Sequence, residues 1–156
     1  MEITSLSLRV LSVTHQNMLR ILESLSDEDL NRQIPGINNT IAWNFGHTIV
    51  TCQLLVLKLS GQELQINLRQ LAKFRKDSDG KVECTREELM ELSAIHQKFM
   101  SDLPQLAGAG ALNEYEAYET SYGASLYNAQ EAVHFAGVHA GLHLGYMMAM
   151  RRAMGK

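Results

Sequence analysis

Apolar residues recur at intervals of three or four over most of the chain, which is the spacing of one face of an α-helix. The first stripe, over residues 4 to about 25, consists of Leu8, Leu11, His15, Met18, Leu22 and Leu25. Turn-forming residues then fill segment 26–39, and we expect Asn39 to cap the next helix. That second helix is predicted from Thr40 to about Ser60, with Gly61 as the left-handed residue that follows a helix end.

The stretch from 61 to 84 is rich in charged and polar residues and has few apolar anchors, so we expect a long surface connection there. Thr85 and Glu88 have the spacing of a capping box, which predicts the start of a third helix. The stripe of this helix consists of Leu89, Leu92, Ile95, Phe99 and Leu103. Pro104 is expected to end the helix, because proline lacks the backbone N–H that an interior position donates.

A second connection, rich in Gly, Ala, Glu and Tyr, is expected to reach about residue 124. The fourth helix is predicted from near Ser125 to about Ala153. No alternation of apolar and polar residues is long enough to indicate a convincing strand. The pattern therefore predicts an all-α chain with one domain over residues 1–156, a four-helix bundle with two long connections.

Composition narrows the class of protein. Apolar residues make up 46 % of the chain and charged residues 20 %, and the formal net charge is −3, as in a soluble globular protein. Nucleic-acid binding is not indicated, because it depends on clustered Lys and Arg. The apolar stretches are interrupted by polar residues, so neither membrane spanning nor export is predicted. The two cysteines, Cys52 and Cys84, lie far apart and suggest no disulfide framework, which favours a cytoplasmic protein.

Two of the six histidines share one face of the fourth helix. His139 and His143 are four residues apart, so at about 100° per residue their side chains project from nearly the same side, one turn apart. This spacing allows two imidazoles to reach one metal ion, although a pair of this kind is also a common coincidence. His134 is rotated by roughly 140° from His139 on an ideal helix, so we do not expect it to be a ligand.

The other histidines are less informative when each is considered alone. His47 lies early in the second helix, where a core or boundary role is commoner than metal binding. We expect His15, on the apolar stripe of the first helix, to make a hydrogen bond in the core. His96 is expected to be solvated.

A row of glycines, Gly137, Gly141 and Gly145, runs along the His134 side of the fourth helix. Each glycine destabilises a helix by about 1 kcal/mol relative to alanine, so the row needs a structural reason. We expect another helix to approach this face closely, either within the subunit or across the interface of a homodimer.

Two motifs in order, Trp43-x-x-Gly46-His47 and His139-x-x-x-His143-x-Gly145, are recognisable together. With them the chain resembles the DinB-like family, also called the YfiT-like metal-dependent hydrolases. The likeness covers essentially the whole chain, including the phrase at 25–30 after the first helix and the Phe-to-Gly loop at 74–80. The chain departs from the family where the last motif usually continues as His-Arg-Gly-Gln, because here Leu144 and Tyr146 occupy the Arg and Gln positions.

The resemblance implies a four-helix bundle that binds one divalent metal ion, commonly zinc or nickel, through His47, His139 and His143. Relatives in this family include transferases for low-molecular-weight thiols and a mycothiol-dependent isomerase. The implied function is therefore metal-dependent thiol transfer or hydrolysis on a small-molecule substrate, with a low-molecular-weight thiol as a candidate co-substrate. Three histidines with an open fourth position are typical of catalytic rather than structural zinc sites.

Two other interpretations stay open at this point. In one, a non-catalytic protein related to stress binds a metal or a ligand. In the other, the histidines only pack, and the bundle is a dimeric interaction protein. No catalytic acid or base can be assigned, and the candidates precede the fourth helix in its connecting loop: Glu114, Tyr115, Glu116, Tyr118 and Glu119.

Overall fold

The computed structural model describes residues 5–156 and is mostly helical, which confirms the predicted all-α class. The helices are α1 (Ser5–Glu23), α2 (Asp27–Asn31), α3 (Ile41–Val56), α4 (Leu68–Phe74), α5 (Arg86–Gly108) and α6 (Ala129–Ala153). A 3-10 turn, Lys58–Ser60, follows α3, and two short strands, β1 (Tyr118–Glu119) and β2 (Ser125–Leu126), pair antiparallel before α6. Over residues 5–156 no helix is both long enough and apolar enough to cross a membrane.

The four long helices, α1, α3, α5 and α6, correspond to the four helices expected from the apolar pattern. Helix α6 packs along both α1 and α3, and α3 also contacts α5. Of the sixteen residues of α3, fourteen are buried, so this helix lies at the centre of the molecule. Its large side chains Phe45 and Ile49 are fully buried in the core together with Met18, Leu22 and Phe99. Side chains on facing turns of α3 and α6 are therefore brought together inside the protein.

The start of α3 differs by one residue from the expectation. Thr40, rather than Asn39, is the capping residue, because its hydroxyl accepts a hydrogen bond from the backbone N–H of Trp43 at 3.1 Å. The N–H of Thr40 itself donates to the carbonyl of Gly80 at 3.0 Å. As predicted, Gly61 is left-handed, with φ of 71°.

The prediction that Pro104 ends the third long helix was wrong. Helix α5 continues to Gly108 with Pro104 inside it. Leu103 and Ala107, on either side of the proline, are both buried against the core. The helix therefore continues through the proline, although an interior proline costs a helix roughly 3 kcal/mol, with Ala107 of the next turn packed in the core.

The connection from 61 to 84 is not the plain surface loop that its polar residues predicted. It contains α4, a short helix that begins with a capping box between Asn67 and Gln70. At its other end Phe74 is almost fully buried and packs against Gly46 of α3. A Cβ added at Gly46 would lie 2.4 Å from the Phe74 ring, so the glycine allows α4 to approach α3 this closely.

The second connection also has its own structure. Strands β1 and β2 pair Tyr118 with Leu126, and Gly123, at φ of 91°, turns the chain between them. Helix α6 consequently begins at Ala129 rather than near Ser125. Its capping residue is Asn128, whose side chain accepts a hydrogen bond from the Glu131 N–H at 2.9 Å.

Candidate metal centre

Three histidines meet where α3 and α6 pack together. His47 comes from α3, and His139 and His143 come from successive turns of α6. One ring nitrogen of each lies within 4.8 Å of those of the other two. The ring centroids are 4.5 Å apart for His139 and His143, and 4.9 and 5.1 Å from His47 to His143 and His139. These distances are short enough for one ion to contact all three rings.

The orientation of His47 is fixed by its outer nitrogen. Its Nδ1 donates to the backbone carbonyl of Phe74 at 2.7 Å, so the last residue of α4 holds this ring. Trp43, one turn earlier in α3, stacks on the same ring at 4.3 Å with an interplanar angle of 11°. Because Nδ1 carries the proton, Nε2 presents a lone pair to the cluster, as a metal ligand must.

The orientation of His143 is fixed by Asn44. The amide nitrogen of Asn44 donates to the Thr40 carbonyl at 2.8 Å, which leaves its Oδ1 as the atom that faces His143. His143 Nδ1 lies 2.7 Å from that oxygen and must donate to it. The Nε2 of His143 is therefore the free nitrogen, just as in His47.

His139 completes the group with one nitrogen facing the cluster. Its Nε2 lies 3.1 Å from Nε2 of His143, while its Nδ1 is buried and makes no hydrogen bond to any described residue. Two imidazole nitrogens that face each other at this distance suit a shared cation. The donor set among the described residues, three imidazoles and no thiolate or carboxylate, fits a divalent transition-metal ion.

Burial keeps the three imidazoles uncharged. Desolvation lowers the pKa of His139 to about 3 and that of His143 to about 4, and neighbouring histidines add to both shifts. Burial also lowers the pKa of His47, partly offset by its hydrogen bond to Phe74 and by the charge of Asp77. Neutral imidazole is the form that binds a metal ion, so the site is ready for binding at neutral pH.

A cavity of about 770 Å³ opens beside the three histidines. Its walls are mainly apolar and come from α3, the turn after it, and α6: Leu54, Leu55, Leu59, Phe135, Val138 and Leu142. Hydroxyl groups of Thr51, Tyr118 and Ser121 also line it, and Thr51 Oγ1 lies 3.4 Å from Nε2 of His47. A small molecule in this cavity would contact both the apolar walls and the free histidine nitrogens.

The other three histidines lie outside the three-histidine group. His134 is exposed and makes a hydrogen bond with Ser7 at 3.3 Å, outside the three-histidine group. His15 is buried and bonds to Ser93 at 3.2 Å, which confirms the expected core role. The expectation that His96 is solvated was wrong: it is 3 % exposed and its ring lies 4.4 Å from that of His15.

The glycine row of α6 has no helix against most of its length within the subunit. A Cβ at Gly141 or Gly145 would meet nothing within 4 Å, and one at Gly137 would only touch Val10 at 3.9 Å. The expected close approach inside the subunit is therefore wrong at Gly141 and Gly145 for the described residues. The alternative, association with a second subunit, stays a prediction.

The candidate acids and bases from the loop before α6 differ in whether they line the cavity. Tyr118 lines the cavity, whereas the three glutamates Glu114, Glu116 and Glu119 are exposed and do not. Tyr115 is half-buried outside the cavity, and burial raises the pKa of its phenol to about 12.

Thr51 is a polar residue beside the histidines that was not predicted from the sequence. A hydroxyl on a largely apolar helix gave no signal by itself.

The two cysteines do not contribute to the site. Both are free and buried, and neither lines the cavity. Burial raises the pKa of Cys52 to about 12 and that of Cys84 to about 11, so neither forms a thiolate readily.

Fold and site together define an all-α protein with a three-histidine group of the kind that binds metal ions. The sequence profile of the DinB superfamily matches residues 11–147, which is most of the chain. The chain belongs to the DinB superfamily, and the resemblance seen in its motifs is confirmed. A search among curated proteins found no match.

Proposed function

We propose that this chain folds as one domain and is a metal-dependent enzyme that transfers a thiol to, or hydrolyses, a small molecule. In this proposal His47, His139 and His143 bind one divalent ion, with zinc or nickel the best candidates. The observation that carries the proposal is the convergence of one ring nitrogen from each of three histidines at the wall of a largely apolar cavity. A purely structural zinc site would normally be closed by a fourth protein ligand.

When bound, such an ion would favour the deprotonated form of a coordinated thiol or water near neutral pH. The protein's own residues would orient and enclose the reactants. Phe74 and Asn44 hold the rings of His47 and His143 through their outer nitrogens. The leucines and Phe135 would bind the apolar part of the substrate and exclude water from it.

The position of the cysteines supports a thiol that comes from solution. Cys52 is fully buried in α3, and Cys84 is buried near the start of α5. Neither lies in the cavity. A thiol reaction at this site would therefore use a low-molecular-weight thiol as co-substrate.

Cobalt substitution tests the proposal directly. The metal-free protein is loaded with cobalt and titrated with a panel of small thiols, while sulfur-to-cobalt charge-transfer absorption is recorded. We expect the band in the wild type and in the His134→Ala control, and its loss in His143→Ala. Binding of carboxylates but of no thiol would favour hydrolysis over thiol transfer. Failure of every exogenous ligand to bind would contradict both activities.

A non-catalytic, dimeric binding protein is the second candidate, and one observation favours the dimer. Large apolar side chains are exposed along α1 and α6: Leu6, Val10, Val13, Val138, Leu142 and Tyr146. An exposed apolar face of this kind is common where two subunits associate. We propose that a second copy covers it, and we expect Val13→Asp to halve the mass measured by light scattering. An unchanged mass of one chain in the wild type would contradict the dimer.

A further inference from the structure

We propose that the ligand of the cavity carries an anionic group and that Lys58 and Lys76 bind it. Both lysines line the cavity beside the three histidines. The inference rests on the proposed function only in taking this cavity as the substrate site. It names the class of substrate, an apolar molecule with a carboxylate, sulfonate or phosphate group.

The two lysines reach the cavity from different parts of the chain. Lys58 begins the 3-10 turn after α3, and Lys76 lies in the loop after α4. That loop directly follows Phe74, whose carbonyl holds His47. The cavity thus receives two cations from separate segments of the chain, and one of these segments also orients His47.

Neither lysine has a carboxylate partner among residues 5–156. Lys73, by contrast, pairs with Glu88 at 2.8 Å, and Lys156 pairs with Asp29 at 3.1 Å. Lys98 is paired with Asp102 in the same manner. The charges of Lys58 and Lys76 are therefore available to a ligand.

The lining of the cavity contains no Asp or Glu from the described part of the chain. One nearby glutamate is kept out of the lining by the course of β1. Tyr118 lines the cavity, while Glu119 beside it does not, because successive side chains of a strand point to opposite faces. Lys58 and Lys76 occupy exposed positions in the lining of this largely apolar cavity, and Asp77, the acidic neighbour of Lys76, does not line it, so the lining contains two positive charges and, among the described residues, no carboxylate. Such a space favours an anion.

The rest of the lining defines the body of the ligand. Phe135, Leu54 and Leu142 offer apolar surface, and Tyr122 lies 6.0 Å from Phe135, ring centre to ring centre, at the cavity wall. Apolar walls with a few polar groups at one side are the usual form of a site for a small amphipathic molecule. We infer that the apolar part contacts these side chains while the anionic end faces the lysines.

Two fluorescent probes with the same aromatic body test this inference. Anilinonaphthalene sulfonate carries an anionic group, and phenylnaphthylamine is its neutral counterpart. We expect the double variant Lys58→Gln/Lys76→Gln to weaken binding of the sulfonate about tenfold and that of the neutral probe less than about twofold, since each partly exposed ion pair contributes modestly. Both dissociation constants are measured by fluorescence titration at fixed ionic strength.

The double variant Lys81→Gln/Lys98→Gln is the matched control, because it also removes two positive charges, and both lysines are exposed and do not line the cavity. If Lys58→Gln/Lys76→Gln and the control weaken sulfonate binding equally, the effect is one of net charge and the inference is wrong. An unchanged preference for the sulfonate in Lys58→Gln/Lys76→Gln would also overturn it. The titrations are run both without metal and with zinc. Failure of metal or thiol binding would then contradict the proposed function without changing the outcome of this test.

Discussion

The bundle contains two groups of histidines with lowered pKa values that differ in burial and in surroundings. His47, His139 and His143 bring one ring nitrogen each to within 4.8 Å of the others beside a cavity, and His139 and His143 are only half-buried. His15 and His96 lie in the core, where His15 bonds to Ser93 and its ring is 5.1 Å from that of Phe45. Burial lowers the pKa in both groups, to about 4 for His15 and to about 3 for both His96 and His139.

A lowered pKa therefore does not distinguish the three-histidine group from the core histidines in this protein. The useful difference lies in the outer nitrogens. In the three-histidine group, the Phe74 carbonyl and Asn44 Oδ1 accept hydrogen bonds from Nδ1 of His47 and His143. The Nε2 atoms of these two rings are therefore left unprotonated. In the second group, Nε2 of His15 faces Ser93, and Nδ1 of His96 is buried with no hydrogen-bond partner in the described structure.

The largest expected effect is the loss of metal from the first group. His139→Ala should lower the affinity for zinc more than about hundredfold, because removing a ligand costs more than disturbing the groups that orient it. The wild type should carry close to one divalent ion per chain after purification without a histidine tag. Metal content is measured by elemental analysis.

His96→Leu is the control for this experiment, since it removes an imidazole of similarly low pKa from the second group. It should retain the metal, as should His134→Ala. Equal losses from His96→Leu and His139→Ala would break the distinction between the two groups.

Asn44 should have the next largest effect. Its replacement by alanine removes the acceptor that orients His143, and losses of this kind typically weaken metal binding about 10- to 100-fold. Zinc affinity is measured by competition with a chelator. Gln53→Ala is the comparison: Gln53 is a buried amide of α3 that accepts hydrogen bonds from the N–H groups of Gln65 and Ile66 instead. If both variants lose the same affinity, the effect of Asn44 is general destabilisation.

The second group should determine part of the acid sensitivity of the fold. An unfolded histidine titrates near pH 6.5, whereas folded His96 has a pKa of about 3, so the unfolded chain binds more protons between these values. Stability is therefore lost as pH falls below 6.5, by about 1.4 kcal/mol per pH unit for one such histidine. His96→Leu should reduce the slope by about this amount between pH 6 and 4.

Urea unfolding of metal-free protein at several pH values gives the slope. Leu92→Ala provides the control, because this core substitution in the same helix removes no titratable group and should lower stability while keeping the wild-type slope. A slope for His96→Leu that matches the wild type would show that His96 is already protonated or open to water in the folded protein.

The smallest expected effect belongs to the open face of α6. Gly141→Ala should raise the free energy of unfolding by up to about 1 kcal/mol, because alanine is the better helix former and its Cβ would meet nothing within 4 Å. Urea unfolding is measured at a concentration where light scattering reports single chains. A loss of stability there would mean that Gly141 has a neighbour in the folded subunit.

Parts of the candidate site were predictable from the sequence because they are local. His139 and His143 follow from a four-residue spacing on a long helix. His47 needed the order of the two motifs, because a single histidine after Trp43 has no geometric partner in its own helix. His96 also had a usable signal that was missed, since it lies seven residues after Leu89 and three before Phe99 on the buried stripe of α5.

The supporting groups were not predictable, for a physical reason. Asn44 meets His143 across 99 residues of sequence, and the Phe74 carbonyl meets His47 across 27. Such contacts depend on how helices pack, and no periodicity encodes them. Helix α4 was missed because its seven residues are too few for a periodic stripe, although the pair Asn67 and Gln70 marks its start.

Gly46 illustrates how a residue without a functional group constrains the chemistry beside it. It contributes no atom to the cavity, yet the space over its Cα is where the Phe74 ring packs, and Phe74 supplies the carbonyl that orients His47. In a mutational scan scored for metal retention, position 46 should tolerate substitution as poorly as a ligand position. During divergence of the family, α4 and position 46 should change together or stay fixed together.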